Sequence, residues 1–397
     1  MTEAMEWTRA HFTENDAEEA LVYARELIRG KSYNPPGNEK KVAEYAYSIL
    51  EHAGFLVELD EFAENRCNVS AVYGNPDDIA LILNGHLDVV PAYGEWKKSP
   101  SEGIRENGIL YGRGSCDMLG GVASILKAAD VIGRYQVKGR RGVRILLVAD
   151  EEDKNRGIRQ VLKREKLKAD YAVIAEPTEC ELQLGNRGFS SFYIRTEGIG
   201  CHAGQPWNGE NAIYKMGEVI RRIELYADHL KEVKNELLGQ ATCCIGTIRG
   251  GVRLNTVPDH CVIEVERRLL PGETAEQIRK ELQTVIGDLA VIEERTFFPA
   301  SLIPHDSPLV THCAGSLSRI REKKPIISVF KACTEASMFS VECGIPTLIL
   351  GPGSLEQAHR TDEFCREQEI RDCAVLFTEL LYSGLTKKKL EQEDGIL

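Results

Sequence analysis

Apolar positions fall into two patterns along this chain. One pattern is a set of short, nearly unbroken runs at Ile79–Leu83, Val143–Ala149, Tyr171–Ala175 and Ile345–Leu350, rich in Val, Ile and Leu without alternation. Such runs are expected of strands buried on both faces of a parallel sheet. The other pattern is helical spacing. Val42, Tyr45, Ala46 and Ile49 recur three and four apart, which predicts a helix capped by Asn38 and closed by Gly54. Val122, Ile125, Leu126 and Ala129 share one face of a second helix, Leu119 to Ile132, between the first two runs. Strands alternating with helices predict an α/β domain with a mostly parallel sheet.

The middle of the chain reads differently. Phe189–Thr196 has the pattern of a strand, and Asn211–Leu230 that of a helix with Ile213, Met216, Ile220 and Ile223 on one face. Thr242–Arg249 and His260–Leu270 read as two strands, Thr274–Ile286 as a helix capped by Thr274, and Ala290–Phe298 as a further strand. The order β-α-β-β-α-β is that of a ferredoxin-like unit. The α/β pattern resumes afterwards. The expected architecture is therefore one α/β domain, residues 1–187 and 299–397, interrupted by an inserted domain at 188–298. No internal repeat is visible, and the tail from Thr386 is expected to fray.

Composition narrows the classes. At 397 residues the chain is too long for one ordinary domain. Lys plus Arg is 49 against 61 Asp plus Glu, a net charge of −12, which argues against nucleic acid or an anionic membrane as a partner. No apolar run approaches the ~18 residues needed to span a bilayer. Met1–Phe12 lacks the basic and apolar regions of a secretion signal, so a cytoplasmic protein is expected. Twelve cysteines without a C-x-x-C pair point to buried thiols in a reducing compartment, not to disulfides or a zinc ribbon.

The chemistry stands at the ends of the buried runs. The first ends in Asn84-Gly85-His86-Leu87-Asp88, the second in Asp150-Glu151-Glu152-Asp153, and the third in Glu176-Pro177-Thr178. The fourth runs on to Ala358-His359-Arg360, and Gly112-Arg113-Gly114-Ser115-Cys116-Asp117 directly precedes the helix at Leu119. Ligands of open α/β sheets bind beyond the carboxyl ends of the strands. Two His with several carboxylates suit Zn²⁺ or a similar divalent ion. On an extended segment i and i+2 face the same side, so the Asp88 carboxylate is expected to accept the second imidazole N–H of His86. Taken singly, each segment has a plainer reading: an ion pair, a solvated Glu pair, a turn, a helix start. Together those readings require five unrelated polar sites to fall at strand ends by chance.

Over nearly its whole length the chain resembles the M20 metallopeptidase group. That group includes acetylornithine deacetylase, succinyl-diaminopimelate desuccinylase, aminoacylase and glutamate carboxypeptidase. The resemblance rests on SYNPPGNE near residue 32, NGHLDVVP at 84, YGRGSCDMLGG at 111, ADEED at 149 and AEPTE at 175. It continues through GNRGF at 185, GCHAGQPWNGENAI at 200, GGVRLNTVPD at 250, RRLLPGE at 267 and GPGSLEQAHRTDE at 351. It implies two metal ions per chain, Zn²⁺ first with Co²⁺ or Mn²⁺ as alternatives. His86 and Glu176 would hold one ion, Glu152 and His359 the other, and Asp117 would bridge them, with a cis bond to Met118. Glu151 would be the general base and Asp88 would orient His86. The inserted domain would act as a lid, His202 would meet the reacting carbonyl, and Asn255 and Arg268, helped by Arg187, would grip the substrate's carboxylate. Lids would pair along an exposed strand edge into a homodimer.

The sequence departs from the family pattern at Glu335, where Asp is usual, at Asp153–Arg156, where glycines are usual, and at Arg360 after His359. None of these removes a ligand, and both Glu335 and Arg360 are expected near the site. The function implied is removal of an acyl group from an N-acyl amino acid. A dipeptidase or glutamate carboxypeptidase-like activity is the alternative on the same chemistry. A binding protein without catalysis has no need of Glu151 beside a ligand.

Overall fold

In the computed structural model, which describes residues 2–387, the chain divides into two compact units. One comprises the chain up to Gly185, Leu302–Phe330 and the chain from Thr334 on. The other comprises Asn186–Ser301 with Lys331–Cys333. The tail beyond Lys387, expected to fray, lies outside the described residues.

The first unit is a mixed α/β fold around a mostly parallel central sheet. Gly142–Val148, Ile79–His86, Tyr171–Ile174 and Thr347–Ile349 lie side by side in parallel. These are the four apolar runs, now buried between helices, and antiparallel strands at Arg66–Gly74 and Leu56–Ala63 extend one side. The helix Leu119–Arg134 is buried almost all round and packs against Glu14–Arg29 and Glu367–Thr386. It approaches the sheet closely enough that a Cβ on Gly121 would stand 2.2 Å from the Ala175 carbonyl oxygen. Only glycine allows that approach, which seats the helix start beside the end of the Tyr171–Ile174 strand.

Two helices, Glu3–His11 and Glu14–Arg29, precede the first one that spacing predicts. Alanines (Ala17, Ala20, Ala24) form much of the buried face of the second, and they carry too little hydrophobic contrast to register as a stripe. The predicted helix runs Lys40–His52, and Asn38 does not cap it. Its N-cap is Glu39, which makes no capping bond because its carboxylate is engaged by Arg66.

In the second unit a four-stranded antiparallel sheet has the order Thr242–Gly250, His260–Leu269, Gly188–Glu197, Val291–Phe298. Helices Ala212–Leu230 and Ala275–Ile286 accompany it. Asn211 caps the first by accepting N–H bonds from Ile213 and Tyr214, and Thr274 caps the second in a reciprocal pair with Gln277. All twelve cysteines are thiols, but not all are buried. Cys244 is exposed because its strand, Thr242–Gly250, is the sheet's outer edge. Among the described residues no helix is long and apolar enough to cross a membrane.

Candidate metal centre

The parallel strands deliver their chemistry to one edge. His86 ends the strand Ile79–His86, Glu151 and Glu152 follow Gly142–Val148, and Glu176 follows Tyr171–Ile174. His359 lies on the loop after Thr347–Ile349, and Asp117 immediately precedes the helix at Leu119. Two overlapping trios result, His86–Asp117–Glu176 and Asp117–Glu152–His359, each with potential ligand atoms within 4.8 Å of one another. Asp117 is common to both. Its Oδ1 lies 3.2 Å from His86 Nε2 and its Oδ2 3.4 Å from His359 Nε2. His359 Nε2 also stands 2.9 Å from Glu152 Oε2. The peptide bond from Asp117 to Met118 is cis.

The charges in this cluster are poorly balanced without a cation. Burial, reinforced by the charge on Asp117, pushes the Glu176 carboxyl well above the ordinary range. Burial does the same to Glu151, with Glu176 and Glu152 adding to it. Asp117 goes the other way: hydrogen bonds from His359 and His86 outweigh its burial and hold it low. Those bonds to Asp117 and Glu152 raise His359 to about 10. Four carboxylates and two imidazoles crowded this way are a donor set that divalent ions would neutralise. A third acidic group, Asp16, Glu19 and Asp130, is already served by a protein cation: Lys127 Nζ lies 2.6 Å from both Glu19 and Asp130.

Asp88 does not use its carboxylate on His86 as expected. His86 Nδ1 is 2.9 Å from the Asp88 carbonyl oxygen and 3.8 Å from its carboxylate. The carboxylate instead accepts the backbone N–H groups of Glu151 and Glu152, each at 3.1 Å. The backbone oxygen of Asp88 thus takes the ring of His86, and its carboxylate serves the neighbouring strand end.

Sequence reasoning assigned no role to Glu363 and Arg113. Buried Glu363 accepts N–H bonds from Gly114, Cys116 and Asp117, and Arg113 Nη1 pairs with it at 2.5 Å. Together they hold the loop that carries Asp117. Each stands four residues from a site residue, Asp117 or His359, inside a segment that carries the family resemblance. Glu335 is buried with one carboxylate oxygen lacking a hydrogen-bond partner, and burial pushes it up to about 8. Arg360 turns back on its own loop, donating to the Glu356 carbonyl.

The remaining candidates lie in the second unit. His202 is exposed on a two-residue strand paired with Thr256–Val257, and Ala203 N–H donates to the Asn255 carbonyl. These two therefore sit together. Arg268 and Arg187 form a separate pair. Arg268 shares a register position with Thr242, and Arg187 Nη2 donates to the Thr242 hydroxyl. Burial, followed by the charges of Arg268 and Arg267, lowers the Arg187 guanidinium pKa. Arg268 also makes a surface ion pair with Glu266 at 2.7 Å. Asn255 precedes the strand His260–Leu269 and Arg268 stands near its far end, so about 26 Å of extended chain separates His260 from Arg268. One copy of the unit does not bring Asn255 and Arg268 onto one carboxylate.

Comparison with known proteins follows the same lines. The sequence model of peptidase family M20/M25/M40 matches residues 82–383. The acetylornithine deacetylase of Proteus mirabilis is 33% identical over 329 residues, covering 79% of this chain and 82% of that protein. The M20 family metallo-carboxypeptidase Sso-CP2 of Sulfolobus solfataricus has a similar fold, with a TM-score of 0.74 at 18% identity over 92% of this chain and 98% of that one. So does the YXEP protein of Bacillus subtilis, a dinuclear metal-binding peptidase of the M20 family, with a TM-score of 0.67 at 16% identity over 94% and 99%.

Proposed function

This chain belongs to peptidase family M20/M25/M40 and is a hydrolytic enzyme, and on that premise we propose that it removes the acyl group from an N-acyl amino acid in the cytoplasm. The observation that carries the reading is the pair of donor trios sharing Asp117, with Glu151 beside them. His86 and Glu176 would hold one divalent ion and Glu152 and His359 the other, with Asp117 common to both trios. Zn²⁺ is the first expectation and Co²⁺ or Mn²⁺ its substitutes. The name of the Proteus relative supports a deacylase over a dipeptidase.

Two such ions, when bound, would supply Lewis acidity, lowering the pKa of a nearby water toward about 7 and polarising a carbonyl. Glu151 takes a proton from the attacking water as its oxygen bonds to the amide carbon. Glu151 then gives the proton to the amine nitrogen as the C–N bond breaks. His202 Nδ1 accepts the Gly204 N–H, so the neutral ring carries its proton on Nε2, where it donates to the developing oxyanion. Arg268 grips the substrate carboxylate, with Arg187 behind it.

The second unit acts as a ferredoxin-like lid at 188–298, within a catalytic domain formed by 1–187 and 299–397. A small substrate does not reach from Asn255 to Arg268 along one lid, so His202 and Asn255 come from the lid of a second copy. The exposed edge strand Thr242–Gly250, with exposed Ile248, Val252 and Leu254 nearby, suits an isologous two-fold pairing.

A panel of N-acyl amino acids and dipeptides assayed with Zn²⁺, Co²⁺ and Mn²⁺ tests the activity. Faster turnover of dipeptides than of acyl amino acids would move the assignment to a dipeptidase. Arg268→Ala is expected to raise KM about tenfold or more for substrates with a free carboxylate and much less for the matching amides. Equal losses on both would leave Arg268 with only its Glu266 ion pair, worth at most about 1 kcal/mol. Mixing inactive His202→Ala with inactive Glu151→Gln under subunit exchange is expected to restore part of the activity, because one site of the mixed dimer then carries neither lesion. Persistent inactivity despite exchange would place His202 in the site of its own chain.

A further inference from the structure

The SYNPPGNE segment and Arg66 take no part in the mechanism above, yet they meet directly behind it. Asp150, next to the base, has a left-handed backbone with φ of 69°. Asp enters that conformation more readily than most residues with a Cβ, and here its surroundings hold it there. The Asp150 carboxylate is held from three sides. It accepts from Arg66 Nη2 at 2.7 Å, from Asn34 Nδ2 at 3.0 Å and from Arg156 Nε at 2.7 Å. The same Asn34 amide donates to Asp88 at 2.8 Å. Asp88 in turn receives the N–H groups of Glu151 and Glu152 and, through its carbonyl, the His86 ring. Arg66 is anchored on the far side by a two-point pair with Glu39, at 2.7 and 2.8 Å.

Asn34, Glu39, Arg66, Asp88 and Asp150 are all buried. The Pro-Pro-Gly loop closes round the guanidinium so tightly that a Cβ on Gly37, itself at φ +90°, would fall 2.1 Å from Arg66 Cζ. Buried charge networks of this kind do not by themselves make a fold more stable than apolar packing would. Every arm of this one converges on the turn that aims Glu151 and Glu152.

We propose that Asn34 and Arg66 are positioning residues that clamp Asp150 and Asp88 together and thereby set the directions of Glu151 and Glu152. This rests on the reading of Glu151 as base and Glu152 as metal ligand. The Asn34 amide is the link between the two Asp carboxylates, and the fork of Arg66 turns the charge of Glu39 into a fixed direction on Asp150. Lysine would keep the charge but not the fork.

The test compares Asn34→Ala, Arg66→Leu and Arg66→Lys with the unmodified chain by thermal unfolding, by kcat and KM on the best substrate of the panel, and by Co²⁺ titration followed by absorption spectroscopy. The expected result for a folded Asn34→Ala or Arg66→Leu is a 10- to 100-fold fall in kcat or in affinity for one of the two Co²⁺ equivalents. KM should stay within about threefold, and Arg66→Lys should recover part of the loss. If Arg66→Leu fails to fold, Arg66→Lys and Asn34→Ala decide the matter. Folded variants that keep kcat and both Co²⁺ affinities within about twofold would overturn the proposal, as would a loss of Tm alone. A chain that binds Co²⁺ but hydrolyses nothing in the panel would fail the proposed reaction, while the titration still decides the clamp. A chain that binds no Co²⁺ would remove both.

Discussion

Glu151→Gln is expected to leave a folded protein with its metal content intact and turnover reduced about 10²- to 10⁴-fold. The amide matches the carboxylate in shape, and the backbone bond from residue 151 to Asp88 does not involve the side chain. What is lost is the ability to take a proton from water and return it to the amine. In the metal-free chain burial pushes the Glu151 carboxyl upward, and divalent ions bound beside it would work against that rise. KM should change little, since Glu151 is not assigned to substrate binding. Steady-state kinetics beside metal analysis of the purified variant provide the check. A variant turning over at near the unmodified rate would move the base to another residue.

Prolonged chelation is expected to abolish turnover and to lower thermal stability, and both should return when Zn²⁺, Co²⁺ or Mn²⁺ is restored. At a free ion concentration of one hundred times Kd, binding to the folded form alone contributes about 2.7 kcal/mol. The metal-free chain should also respond to pH in a defined sense. Burial raises the carboxyls of Glu176 and Glu151 well above the ordinary range and Glu335 to about 8. A raised acid favours folding while protonated, so its contribution is whole below about pH 4.5 and is lost as pH climbs through the folded value. His359, raised to about 10 by its bonds to Asp117 and Glu152, acts in the same sense: its contribution is whole below about pH 6.5 and fades as pH rises through 10. Asp150, held at about 2 against its burial by Arg156 and Arg66, loses its contribution only in stronger acid. The Tm of the metal-free chain should therefore fall as pH climbs from about 4.5 to about 10. The rise in Tm on adding metal should grow over the same range, because ligands bind as carboxylates and neutral imidazoles. A metal-free Tm that is flat or rising across that range, or activity that survives chelation, would contradict the metal centre proposed here.

Several features were legible because they are local. A strand buried on both faces must be apolar throughout, so the four runs around Ile82, Leu146, Val173 and Leu348 declare themselves, and the polar residues that end them stand out. The helices at Ala212–Leu230 and Ala275–Ile286 announce their own starts through Asn211 and Thr274. The helix Glu14–Arg29 was obscured because alanine fills much of its buried face. Asn38 looked like a cap, but the helix starts after Glu39, whose carboxylate accepts from Arg66, 27 residues away, and caps nothing.

The sequence by itself determined which residues could bind metal and the strand ends on which they stand, because side-chain chemistry and hydrophobic period are properties of short segments. Only the tertiary structure decided their partners. It put the carbonyl of Asp88 rather than its carboxylate on His86, joined Arg66 to Asp150 across 84 residues, and set Glu363 beneath Asp117 across 246. The physical reason is common to all three. A buried polar group takes whichever partner the packing of distant segments brings within hydrogen-bond reach, and nothing in a residue's own neighbourhood along the chain encodes which partner that will be.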